Sequence, residues 1–119
     1  MSNPFAYAEL HTDAPAAAKA FYSQLLTWGM QDAPKSEGRY TEIEPGEGFP
    51  AGLTQNKYGG GSHWLPYIRV DDIAASLEKA KRLGATARGE IVQIPEGKFS
   101  VLVDPTGAPF GLFERGRTP

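Results

Sequence analysis

Apolar and polar residues alternate from Phe5 to His11, the two-residue period of a half-buried strand. Phe5, Tyr7, Glu9 and His11 share one face, and Ala6, Ala8 and Leu10 share the other. The period then changes to that of a helix. Thr12 and Asp13 are capping residue types, and Pro15 suits a first helical turn, where its missing N–H costs nothing. Ala17, Phe21, Leu25 and Trp28 recur at helical spacing as an apolar stripe, so a helix is expected to about Trp28, with Gly29 as a left-handed stop. Three short strands follow, near 30–33, 39–44 and 49–54. The same order then returns. Leu65–Val70 reads as a strand, Asp71 or Asp72 as a cap, and Ile73–Leu83 as a helix. Ile73, Leu77, Ala80 and Gly84 share its buried side, and Glu78 and Arg82 are spaced to pair on the other. Strands near 85–93, 98–103 and 109–113 complete the pattern.

The recurrence is visible in the residues themselves. EGRYTEI from Glu37 and EGKFSVL from Glu96 are offset by 59 positions. The offset persists through Gly48/Gly107, Pro50/Pro109, Gly52/Gly111 and Leu53/Leu112. Self-similarity at a fixed period marks a duplicated supersecondary unit. Each half reads βαβββ, about 1–54 and 64–119, joined by a linker at 55–63 in which Gly59, Gly60 and Gly61 form a flexible joint. Each helix must bury its stripe against one face of its sheet, which leaves the other face free to line a cleft. The expected fold class is α+β, with two βαβββ modules forming an incurved, open, mixed β-sheet barrel with the helices outside.

Composition narrows the function classes. A length of 119 residues suits one domain, 1–119. A net charge of −2 gives no field to hold a phosphate backbone, which argues against a nucleic-acid partner. Without cysteine there are no disulfides, thiolate metal sites or cysteine nucleophiles. No apolar run approaches the roughly 20 residues needed to span a bilayer. MSNPFAYAEL lacks the basic region and apolar core of a signal peptide. A cytoplasmic protein without a membrane partner is expected.

Three stretches, LHTDAPAAAKAFYSQLLTWGM (10–30), HWLPYIRVDD (63–72) and VLVDPTGAPFGLFE (101–114), resemble the vicinal oxygen chelate superfamily. That superfamily includes glyoxalase I, bleomycin-resistance proteins and extradiol dioxygenases. The residues around Trp64, Tyr67 and Gly111 look like those of its short bacterial glyoxalase-like members. The resemblance implies a homodimer and, for the enzymes, one divalent ion held by His, Glu or Gln from the first and last strands of each half. Those positions fall here on Tyr7, Leu65, Gly52 and Gly111. None is a usual ligand for Zn, Mn, Fe or Ni, so neither a metal nor another cofactor is expected. Glu9 and His11 lie on the face of Tyr7 and could contribute to a shifted site, although no third ligand is evident; they read as hydrogen-bonded or solvated, and His63 as facing solvent.

With the ligands gone, Gly52 and Gly111 open the floor of the cleft. Tyr7, Glu9 and His11 from the first half, and Tyr67, Arg69 and Phe113 from the second, surround it with aromatic surface and a few polar groups. That mixture suits a small organic molecule. Arg69 and Glu9 occupy related places and are candidates to pair. The expected function is a glyoxalase-like protein that binds such a molecule without a metal. The alternative is a metal-dependent lyase or dioxygenase of the glyoxalase type, using Glu9, His11 and Glu42 or Glu114 as substitute ligands. Phe21, Tyr22 and Trp28 are expected in the core, and Trp64 at the cleft or at a subunit interface.

Overall fold

The computed structural model describes residues 2–116. The chain forms two compact units, one of Tyr7–Leu65 and one of Met1–Ala6 with Pro66–Pro119. Its elements run β1 (Phe5–Thr12), α1 (Pro15–Leu25), β2 (Gly29–Asp32), β3 (Tyr40–Glu44) and β4 (Ala51–Gln55), then β5 (His63–Arg69), α2 (Ile73–Arg82), β6 (Thr86–Ala87), β7 (Val92–Ile94), β8 (Gly97–Val103) and β9 (Pro109–Arg115). The fold class is α+β, built from two βαβββ modules.

In the first unit the strands are ordered β2-β3-β4-β1. β1 pairs in parallel with β4, and β2–β3 and β3–β4 are antiparallel. Leu10, Ile43, Ala51 and Leu53 project from one sheet face and form the core, with Ala18, Tyr22, Trp28 and Met30 packed against them. In the second unit β5 pairs in parallel with β9, β9 is antiparallel to β8, and β8 carries both β6 and β7. Its core is Ile73, Leu77, Leu102 and Leu112.

The repeat extends to the hydrogen-bond register. Tyr40, Thr41, Glu42 and Ile43 stand opposite Thr54, Leu53, Gly52 and Ala51. Displaced by 59 positions, these become Phe99, Ser100, Val101 and Leu102 opposite Phe113, Leu112, Gly111 and Phe110, which are the partners observed. The first strands keep the pattern with a one-residue difference: Leu10 faces Leu53, while Ile68 faces Leu112. Glu9 therefore corresponds to Tyr67, and His11, rather than Glu9, to Arg69.

Several local expectations are corrected. α1 ends at Leu25 and leaves through Leu26 in an extended conformation (φ −125°, ψ 164°), so no left-handed stop is needed and Gly29 opens β2. The buried side of α1 is rotated by one residue. Ala18 and Tyr22 face the core, the Tyr22 ring stacking on Trp28 at 5.4 Å, and Phe21 and Leu25 point outward. Neither Thr12 nor Asp13 is the N-cap of α1. That position is Ala14, whose N–H donates to Thr12 Oγ1 (3.1 Å). In the second unit Asp72 does cap α2, accepting from the Ala75 N–H at 3.1 Å, and Gly84 ends it with φ +106°. Glu78 pairs with Lys81 at i,i+3, not with Arg82. The strand expected at 85–93 is two short strands, because residues 88–91 around Gly89 leave the ladder between the two ends of β8.

The linker is tied down by a side chain. Asn56 Nδ2 lies within hydrogen-bonding distance of Asp13 Oδ1 (3.0 Å), Gly61 O (3.0 Å) and Gly59 O (3.3 Å), and Asn56 Oδ1 accepts from the Tyr58 N–H (3.0 Å). The three glycines all take positive φ, which only glycine adopts without strain. Here the glycines serve a defined loop around one amide. Among the described residues no helix is long and apolar enough to cross a membrane.

Candidate functional site

β1 presents Tyr7, Glu9 and His11 on the sheet face opposite the core, and β4 presents Gly52 beside Glu9 on that face. Tyr40, from β3, leans across the same surface. The lack of a side chain at Gly52 makes this possible, since a Cβ there would fall on the hydroxyls of both Tyr40 and Tyr7. The Tyr40 hydroxyl donates to Glu9 Oε2 at 2.6 Å. With its one proton committed, Tyr40 accepts from the Tyr7 hydroxyl at 2.5 Å. Glu9 Oε1 lies 2.8 Å from His11 Nε2, and a carboxylate only accepts, so that nitrogen carries the hydrogen. A polar chain thus runs from Tyr7 through Tyr40 and Glu9 to His11. Burial above all, then the charge of Glu9 and the neighbouring Tyr7, pushes the Tyr40 phenol far above its ordinary value. It stays protonated and remains a donor.

Of the two readings for His11, hydrogen-bonded or solvated, the structure shows the first: the ring is buried, bonded to Glu9, and stacks on His63 with centroids 5.3 Å apart and planes 7° from parallel. Tyr58 covers it from the linker at 5.3 Å. His63 departs from expectation. Its Nδ1 lies 2.9 Å from the Gly61 carbonyl, and its Nε2 is buried, not open to solvent. In the neutral rings, His11 Nδ1 and His63 Nε2 are both left as lone-pair nitrogens without a hydrogen-bond partner among the described residues. Because the rings stack, these lone pairs lie in two near-parallel planes.

In the second unit Gly111 lies beneath the Tyr67 ring, which a Cβ at that position would strike. Tyr67 meets Phe99 edge-to-face at 5.8 Å, and Phe99 stands opposite Phe113. Arg69 stands opposite Phe113 on β9 and borders a surface pocket of about 260 Å³ with Val70, Asp71, Glu114 and Arg115. Glu114 is already engaged, since its Oε1 accepts from the Ile73 N–H at 2.9 Å at the start of α2.

The structure thus brings Tyr7, Glu9, His11 and Gly52 together in one unit, and Tyr67, Gly111 and Phe113 in the other. Sequence reasoning missed Tyr40, His63 and Tyr58. The repeat offered a signal for Tyr40, which is equivalent to Phe99 but carries a hydroxyl.

The glyoxalase-like domain model matches residues 8–113. The chain belongs to the glyoxalase-like domain family. Glyoxalase-like proteins of this kind are members of the vicinal oxygen chelate superfamily. The chain is 31% identical over 93% of its length to the Mycobacterium tuberculosis protein named "Putative glyoxylase CFP32", and 32% identical over 91% to the anthracycline biosynthesis protein DauV of Streptomyces sp.. It spans less than half of each, 45% and 40% respectively. A hypothetical protein, BH1468 of Bacillus halodurans, superposes with a TM-score of 0.72 at 17% identity, covering 100% of this chain and 99% of that one. Methylmalonyl-CoA epimerase of M. tuberculosis gives 0.64 at 15% identity, covering 95% and 88%. At such identities the two structures speak for the fold alone.

The divalent ion of the superfamily enzymes does not fit the residues present. Phenol hydroxyls cover Gly52, an aromatic ring covers Gly111, and Leu65 is a fully buried aliphatic. Among the described residues no group of three or more His, Cys, Asp or Glu side chains is placed to hold an ion.

Proposed function

We propose that this glyoxalase-like protein binds a small organic molecule without a metal ion, using the surface that carries Tyr7, Glu9 and His11. The observation that carries this reading is the position of the tyrosines. At Gly52 and Gly111 the chain's own aromatic side chains stand where the last-strand ligands of a metal enzyme would project. The space above both glycines is filled, so a ligating side chain placed at either position would meet an aromatic residue. Glu9 and His11, the nearest substitute ligands, face one another in a hydrogen bond. A bound ion would have to part them. Tyr67, Arg69, Gly111 and Phe113 offer the second unit's aromatic and cationic groups to the same class of ligand. A planar aromatic molecule with hydrogen-bond donors matches best, since the phenol hydrogens and the His11 Nε2 hydrogen are already committed while His11 Nδ1 and His63 Nε2 offer lone pairs. Anthracyclines, named for the Streptomyces relative, are the first class to screen.

Two titrations test the proposal. Calorimetry with Zn, Mn, Fe and Ni is expected to give no stoichiometric binding. Quenching of Trp28 and Trp64 fluorescence by an anthracycline is expected to saturate, and to weaken on His11→Ala. One tight metal per chain, lost in His11→Ala, would reverse the reading in favour of a metal-dependent lyase or dioxygenase.

A further inference from the structure

We infer that the molecule bound at this surface is a phenol, held as its anion after its hydroxyl proton has passed to His11 Nδ1. The inference rests on the reading above, that the surface of Tyr7, Glu9 and His11 takes a small organic molecule, and it names the chemistry of that molecule. Buried polar atoms nearly always have a partner, so an orphaned one calls for an explanation. His11 is 5% exposed, and its Nδ1 is buried with no partner among the described residues. Its other nitrogen, Nε2, donates to Glu9 Oε1 at 2.8 Å, while Glu9 Oε2 accepts from Tyr40, so both oxygens act as those of a carboxylate. One nitrogen anchored on a negative charge and the other holding a lone pair is the arrangement of a base.

The same features select the ligand. A proton arriving at Nδ1 makes an imidazolium, and Glu9 is already in place to pair with it. His63 has no such support, since its Nδ1 lies 2.9 Å from the neutral Gly61 carbonyl. The step breaks the ligand's O–H bond, leaves the electron pair on oxygen and forms an N–H bond on His11. The imidazolium then lies between Glu9 and the phenolate, and no other reactant is consumed. An alkyl alcohol holds its proton too firmly for an imidazole, and a carboxylic acid has lost its own in neutral water; a phenol lies between them. Tyr58 marks a place for the ring. Its own phenol ring lies 5.3 Å from that of His11, yet it is 41% exposed and stands on a loop held by polar contacts. A ligand ring that displaces it keeps the aromatic contact with His11.

Para-nitrophenol and its methyl ether, para-nitroanisole, test the inference on the parent chain, with a chelator present and at a pH where the free phenol is mostly protonated. Binding of the phenol is expected to bring up the absorption band of the phenolate. Nitrogen-15 spectra of labelled histidine should show both nitrogens of His11 carrying hydrogen in that complex. The ether is expected to bind about tenfold more weakly or worse, the loss of one charge-assisted hydrogen bond. Glu9→Gln, which can still accept from His11 Nε2 but carries no charge, should abolish the phenolate band; the two parent measurements do not depend on that variant folding. A phenol that binds with its neutral spectrum overturns the inference, as does an ether that binds equally well or a Glu9→Gln complex that keeps the phenolate band. Each of these leaves metal-free binding of a small molecule standing. If neither compound binds, the inference is also overturned, and the anthracycline titration decides separately whether the surface takes any ligand.

Discussion

The Tyr7 hydroxyl meets the Tyr40 hydroxyl at 2.5 Å over the backbone of Gly52. The glycine and the two phenols are one device. Gly52 does not simply leave a hole in the sheet surface; it allows two side chains from different strands to close a hydrogen-bond chain that ends on Glu9. The volume that a side chain at position 52 would need is used for polar packing.

Gly52→Ala is therefore expected to destabilise the fold by about 1–3 kcal/mol, the usual cost of forcing an extra carbon into a filled site. The Tyr40 hydroxyl is the atom a new Cβ would strike first, with the Tyr7 hydroxyl next. In a Tyr40→Phe background the same substitution should cost less, a coupling that urea unfolding of the four-member cycle would measure. Strict additivity would show that the contact does not exist in solution.

Tyr40→Phe alone removes a donor to Glu9 Oε2 and should cost about 1–3 kcal/mol, the range for depriving a charged, part-buried acceptor of its partner. It also changes the alkaline limb of stability. The Tyr40 phenol is raised in the folded state from an ordinary value of 10.0, chiefly by burial. A raised value means that the unfolded chain releases the proton first. The contribution is complete below pH 10.0 and falls as pH rises above it. Melting temperature followed through that range should drop less steeply for Tyr40→Phe than for the parent. Parallel curves would place the phenol in a water-like setting.

Asp104 works in the opposite direction. The hydroxyl of Thr106, followed by the N–H groups of Ala108 and Thr106, holds its carboxyl below the ordinary 3.8. A lowered value contributes stability above pH 3.8 that is lost as pH falls beneath it. Asp104→Ala should remove this acid dependence and loosen the turn between β8 and β9, seen as faster amide exchange at Gly107. Unchanged exchange there would reject the role.

The duplication made most of the fold legible, because identical residues at a constant offset fix equivalent elements and, as it turns out, equivalent register. The helix stripe was read one residue out of phase. Phe21 and Leu25 outrank Ala18 and Tyr22 in hydrophobicity, yet Tyr22 gains the stacking contact with Trp28 that decides which side faces inward. Face alternation along β1 grouped Tyr7, Glu9 and His11 correctly. Tyr40 escaped because its reach depends on an absence, the missing Cβ of Gly52 on the neighbouring strand, and spacing within a segment carries no trace of that. His63 escaped for a similar reason. It follows a glycine-rich stretch, Gly59–Gly61, that predicts a loop, while its stacking partner lies 52 residues earlier.

Asn56 decides whether His11 stays covered. The linker around residues 56–62 has little apolar burial to hold it, and three of its glycines favour many backbone states. Its shape is held by the Asn56 amide, which lies within hydrogen-bonding distance of Asp13, Gly59 and Gly61 and accepts from the Tyr58 N–H, and by the Ser62 hydroxyl, which accepts from the Asp13 N–H. Asn56→Ala deletes the bonds of that amide while keeping the backbone bond from the Asn56 N–H to Thr12 O. Because the group is exposed, the expected loss of global stability is small, about 1 kcal/mol. The local effect should be larger. Tyr58 would leave the His11 ring, and the imidazole nitrogens would gain access to water. Nitrogen-15 spectra of labelled histidine should then show His11 Nδ1 shifting towards the solvated value, with His63 changing in step. Retention of the parent spectrum would mean that the stacked pair holds itself, and that the loop merely follows it.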